Sequence, residues 1–175
     1  MNRYFSFDAE TNGLWGQAFS IAAVCEDGSE FIGRCPIEGD VNPWVRDNVL
    51  PQMEGIKITH SDYKSLLNDF MKFYLQKKEG RTILVHMGLP VEAKLFLDAH
   101  EMGIIGDWDA PYPLVDISAI PEIGTSVDSY NKKNEIEVPT FEGGTHNPLY
   151  DSYATMMAYD HYMSHRETTK NLAMI

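Results

Sequence analysis

What most limits the fold open to this chain is the order of its short apolar runs. Arg3–Phe7, Phe19–Val24 and Glu30–Cys35 each read as a β-strand bounded by turn-forming residues. Only the turn Glu26-Asp27-Gly28-Ser29 separates the second from the third, so these two predict an antiparallel hairpin. The pattern then changes. Asn42-Pro43 supplies an N-cap and a first helical residue for a short helix through Leu50, closed by Pro51. Between Ser61 and Lys78, Tyr63, Leu66, Leu67, Phe70, Phe73 and Tyr74 recur at helical spacing, and Gly80 is a natural stop. A short buried strand over Thr82–Val85, a helix from Pro90 to Met102 ended by Gly103, a strand over Pro113–Asp116 and a long helix over Leu149–His165 complete the chain. Three early strands followed by strands alternating with helices predict an α/β fold, a mixed sheet flanked by helices.

Bulk properties exclude several classes. The 175 residues suit one domain over 1–175 with a sizeable core, and a hydrophobic fraction of 43% is that of an ordinary globular protein. No apolar run is long enough to span a bilayer and MNRYFSFDAE holds no signal-peptide core, so a cytoplasmic protein without membrane partners is expected. Cys25 and Cys35 are too few for a disulfide framework and are expected as free thiols. The net charge of −12 argues against broad electrostatic binding to duplex nucleic acid, but leaves room for a small acidic pocket that meets phosphate through cations.

The segment FSFDAETNGLWG, Phe5 to Gly16, ends its apolar run on Asp8 and Glu10. In a strand, residues i and i+2 share a face, so these carboxylates project side by side. Burying either as an anion is costly without a positive partner. Three readings are open from this pair alone: a solvated strand end, two acids sharing a proton, or a metal site.

Other acids lie further on. In THNPLYDSYATMMAY, Asn147-Pro148 forms an N-cap and first helical residue, which puts His146 on the lead-in loop and Asp151 in the first turns. Gly143-Gly144 beside His146 predicts a mobile loop, a setting that suits a general base and equally a surface histidine. In ILVHMGLPVEAKLF, Glu92 opens a helix after a strand, where acids are also favoured by the helix dipole.

Taken in order, DAETNGL, VHMGLPVEAKLF and HNPLYDSYA resemble the three motifs of the DEDDh exonucleases, a superfamily with an RNase H-like fold that includes RNase T and the proofreading subunits of DNA polymerases. The opening, with VNPWVRDNVLP, is also similar to small bacterial and phage exoribonucleases of this group. The resemblance implies a metal-dependent 3′–5′ exonuclease that releases 5′-mononucleotides from single-stranded RNA or DNA 3′ ends, with RNA favoured. It implies two Mg²⁺ or Mn²⁺ ions, bridged by Asp8, with Glu10 and Asp151 completing one site and Glu92 holding the second. It further implies His146 as the base, Leu14 and Trp15 as platforms for the terminal bases, and a homodimer. Where the family's second motif carries aspartate this chain has Glu92; Asp98, six residues on and on another helical face, is the alternative. Two other readings compete: an RNase H-like module that binds nucleic acid or protein without cutting, and an α/β protein whose acids only solvate strand and helix ends.

Overall fold

The computed structural model describes residues 3–142 and 146–172. Five strands form one mixed sheet: β1 (Tyr4–Thr11), β2 (Ala18–Cys25), β3 (Glu30–Arg34), β4 (Thr82–Val85) and β5 (Leu114–Asp116), in the order β3-β2-β1-β4-β5. The β1–β2 and β2–β3 pairs are antiparallel, and β1–β4 and β4–β5 are parallel. The helices are α1 (Pro43–Asn48), α2 (Tyr63–Lys77), α3 (Val91–Glu101), α4 (Val127–Lys133) and α5 (Pro148–Leu172).

Strand alternation sorts the helices onto two faces. Phe5, Phe7 and Ala9 of β1 and Ile83 and Val85 of β4 point into one core with Leu66, Leu67 and Phe70 of α2 and Leu95 and Phe96 of α3. Tyr4 and Leu84 point the other way, against Val127 and Tyr130 of α4 and Ala154 and Ala158 of α5. The helical spacing read over α2 becomes a buried face made of Tyr63, Leu66, Leu67, Phe70, Met71 and Tyr74. Asp62 caps it: its carboxylate accepts the Ser65 N–H at 2.7 Å while Ser65 Oγ takes the Asp62 N–H.

Several boundaries differ from the sequence reading. β1 does not stop at Phe7 but runs to Thr11, because β2 continues to pair with it, Asp8 opposite Ala22 and Glu10 opposite Ser20, before a register shift at Glu10/Thr11. The acids therefore stand inside the strand. Pro51 does not close the first helix; that helix ends at Asn48, and Leu50–Met53 follow as a 3₁₀ turn that carries Pro51 near its start. Helix α4 and the 3₁₀ turn Ile117–Ala119 have no counterpart in the expected elements. Cys25 and Cys35 are buried free thiols. No helix among the described residues is long and apolar enough to cross a membrane.

Candidate metal centre

The site lies where β1 outruns its parallel neighbour. Pairing of β1 with β4 ends at Ser6 opposite Leu84, so beyond it that side of β1 lacks a strand partner among the described residues. The start of α3 covers the gap. Glu92 is 3% exposed, and its Oε1 accepts the Ala9 backbone N–H at 3.2 Å. A buried glutamate on a core helix is thus explained by an otherwise orphaned strand donor.

The turn that delivers Glu92 is held from the next strand. Asp116, the last residue of β5, accepts the Met87 and Gly88 N–H groups, both at 3.0 Å, and the Ser118 N–H and Oγ–H. Met87 sits at φ +57°, a conformation that costs a side-chain-bearing residue and that these two hydrogen bonds help to hold.

Asp8 and Glu10 point to the opposite face of the sheet from Phe7 and Ala9, toward α5, which packs along β1 and β2. Asn147 sets the start of α5: its Oδ1 accepts the Leu149 N–H at 2.9 Å, its Nδ2 donates to Glu142 O at 2.5 Å, and Pro148 opens the helix. Asp151 in the first turn then meets the strand acids. One ligand atom from each of Asp8, Glu10 and Asp151 falls within 4.8 Å of the other two. Glu92 stands outside that trio. His146 joins through Glu10, with Nδ1 3.2 Å from Oε1.

Electrostatics make this arrangement unstable as a set of bare anions. Burial pushes Asp8 up to about 7. Burial and then the Asp8 charge push Glu10 up to about 9. Burial, then Asp8 and Glu10, push Asp151 up to about 10, and burial and Asp8 raise Glu92 well above the usual carboxylate range. Protons or cations must compensate such a group. All its donors are hard carboxylate oxygens, which suit Mg²⁺ or Mn²⁺ and suit zinc poorly. His146 moves the other way: burial lowers it, favouring the neutral imidazole.

No protein-family model matches this chain, and no curated protein does. The chemistry of the site is carried by its own geometry.

Of the residues singled out in the sequence, Asp8, Glu10, Asp151 and His146 converge, and Glu92 approaches from α3. Asp98 does not. It accepts the Tyr63 hydroxyl at 2.6 Å and pairs with Lys94 at 2.6 Å, tying α3 to α2. Leu14 lines a cavity of about 320 Å³ with Glu10, Thr11, Gly13, Asn42 and Trp44. Trp15 is not part of that lining, and at 72% exposed it does not pack in the core. The expected mobility of Gly143-Gly144 concerns residues outside those described. Lys72, Lys77 and Lys78 are engaged with Asp69, Asp27 and Asp109.

Sequence reasoning passed over Trp44 as a site residue. It is 60% exposed, lines the same cavity, and meets the His146 ring edge-on with centroids 6.3 Å apart. A tryptophan directly after the helix-opening proline was the available signal.

Proposed function

We propose that this chain is a metal-dependent 3′–5′ exonuclease acting on single-stranded nucleic acid, with an RNase H-like fold. The observation that carries the reading is the convergence of Asp8, Glu10 and Asp151 to within 4.8 Å, with His146 bonded to Glu10. The sheet order, an antiparallel β1–β2–β3 half joined through β1 to parallel β4 and β5, supports the fold assignment.

Asp8, Glu10 and Asp151 would hold one divalent ion, and Glu92 would support a second. When bound, the ions neutralise phosphate charge and polarise the scissile bond. The protein's own part is geometric and protonic. With cations bound and Glu10 therefore ionised, Glu10 would accept the Nδ1–H of His146, 3.2 Å away, which would leave Nε2 as the acceptor for the proton of the attacking water. The lowered affinity of His146 for its own proton keeps that nitrogen free at neutral pH. Leu14 and the exposed face of Trp44 border the cavity beside Glu10, where a terminal base can stack, a contact worth ~1–3 kcal/mol.

The test is degradation of 5′-labelled RNA and DNA oligonucleotides, single- and double-stranded, with Mg²⁺ or Mn²⁺ and with EDTA. Metal-dependent shortening from the 3′ end with release of 5′-mononucleotides is expected for single strands. One observation favours a second reading, a binding module that does not cut: Glu92 is bonded to Ala9 N–H and stands outside the trio. Binding without shortening in Mn²⁺ would select it.

A further inference from the structure

A closed circuit of contacts runs beside the 320 Å³ cavity; Glu10, Asn42 and Trp44 line the cavity, and His146 and Asn12 stand behind them. From Glu10 the circuit runs to His146 through the 3.2 Å hydrogen bond and from His146 to Trp44 through the edge-on ring contact. The backbone N–H of Trp44 is held by Asn42 Oδ1 at 2.9 Å, the bond that caps α1. The Asn42 N–H is in turn held by Asn12 Oδ1 at 2.8 Å, and Asn12 follows Glu10 by two residues.

The amide of Asn12 is used at both ends. Its Oδ1 takes the Asn42 N–H, and its Nδ2 donates to Asp40 O at 2.9 Å. The side-chain amide puts its acceptor and its donors on separate atoms, so Asn12 serves both partners at once. The loop it opens is tight: Asn12 N–H reaches Gln17 O at 3.0 Å, and Gly16 N–H reaches Gly13 O at 2.8 Å. Gly13, at φ +83°, lets this loop approach the helix cap, since a Cβ there would lie 2.8 Å from Asn42 Nδ2.

We propose that Asn12 is a positioning residue that fixes Trp44 relative to Glu10, and so sets the width of the slot that receives the 3′-terminal nucleotide. This rests on the exonuclease reading for the identity of the ligand. Asn12 acts through Asn42 and Trp44, so losing it loosens substrate capture while leaving the carboxylates in place.

The experiment measures binding of a fluorescent single-stranded RNA hexamer in Ca²⁺, and KM and kcat for its degradation in Mn²⁺, for the wild type, Asn12→Ala, Asn12→Asp, Trp44→Ala and the double variant Asn12→Ala/Trp44→Ala. For Asn12→Ala, hexamer affinity should fall and KM rise ~10-fold, the worth of one or two hydrogen bonds. Its kcat should stay within ~3-fold, Mn²⁺ affinity by calorimetry should hold, and the thermal midpoint should shift by less than ~5 °C. Asn12→Asp keeps the acceptor for Asn42 and loses the donor to Asp40, so it should fall between. In the Trp44→Ala background, Asn12→Ala should add almost nothing. Full additivity of the two substitutions, or a fall in kcat and Mn²⁺ affinity together, would overturn the proposal. A wild type that binds the hexamer without cutting refutes the exonuclease reading alone, and the binding arm still decides on Asn12. A wild type that neither binds nor cuts refutes both.

Discussion

At the scale of single residues, the proposed function divides the site into groups that hold charge and one, His146, that would move a proton. His146→Ala should lower turnover ~10²–10⁴-fold, the usual worth of a positioned base. Mn²⁺ affinity should be nearly unchanged, because in the proposed function the carboxylates would carry the metal. In the wild type, burial holds His146 below its ordinary ~6.5, so the rising limb of turnover against pH should have its midpoint below that value. Calorimetry beside kinetics checks both statements: unchanged turnover would reduce His146 to a residue flanking a helix, and lost affinity would make it a ligand. The two acids of α3 give opposite expectations. Glu92→Ala should abolish most activity at modest cost to stability. Asp98→Ala removes the partner of Tyr63 and Lys94 and should destabilise by ~1–3 kcal/mol, with turnover per folded molecule retained. Urea melts and turnover on both variants separate these roles; the reverse pattern would move the function to Asp98.

At the scale of elements, the site exists because α5 lies across β1. Asp8 and Glu10 are rigid on a strand paired through Thr11, whereas Asp151 reaches them only if the first turns of α5 sit close to the sheet. Ala154, fully buried three residues after Asp151, sets that approach, and its carbonyl accepts Asn131 Nδ2 at 3.1 Å, which locks α4 against α5. Three added carbons have nowhere to go in such packing. Ala154→Leu should cost ~1–3 kcal/mol and weaken Mn²⁺ binding at least ~10-fold, since displacing α5 carries Asp151 away from the strand acids. A destabilised variant with normal Mn²⁺ affinity would show that Asp151 is not held by this contact.

At the scale of the whole molecule, the acid cluster links stability to pH and metal. In the unfolded chain Asp8, Glu10 and Asp151 ionise near ~4. In the folded, metal-free protein Asp8 keeps its proton to about 7, Glu10 to about 9 and Asp151 to about 10. Groups raised on folding contribute stability that is fully present below their unfolded values and is lost as pH climbs through the folded ones. In EDTA the protein should therefore lose stability steadily from ~pH 4 to about pH 10. If Mn²⁺ takes the place of the protons, as the proposed function requires, it should raise the melting temperature far more at pH 8 than at pH 5 and release protons on binding. Asp8→Asn removes one of the repelling charges and should melt higher than the wild type in EDTA at pH 8 while losing cleavage. Equal Mn²⁺ stabilisation at pH 5 and pH 8, or full activity in Asp8→Asn, would refute the metal reading.

What the sequence determined by itself is what local periodicity and local chemistry encode. The buried face of α2 follows from its spacing, the β2–β3 hairpin from its turn, and the common face of Asp8 and Glu10 from the alternation of a strand. The helix starts at Asn42-Pro43 and Asn147-Pro148 follow from capping chemistry. Tertiary structure decided the rest, because it depends on contacts between residues far apart in the chain. Pairing with β2 carried β1 past its apolar run to Thr11, against the polar signal of Asp8 and Glu10. Helix α4 is seven residues long, too short to show a periodic face, and is held by packing on α5. The surroundings of Glu92 and Asp98 were open in the sequence and are decided by partners 83 and 35 residues away, Ala9 and Tyr63. His146 meets Glu10 across 136 residues. Local pattern reports which face of an element is buried; which buried faces converge is fixed only when the sheet and helices pack, and the carboxylate cluster is a product of that convergence.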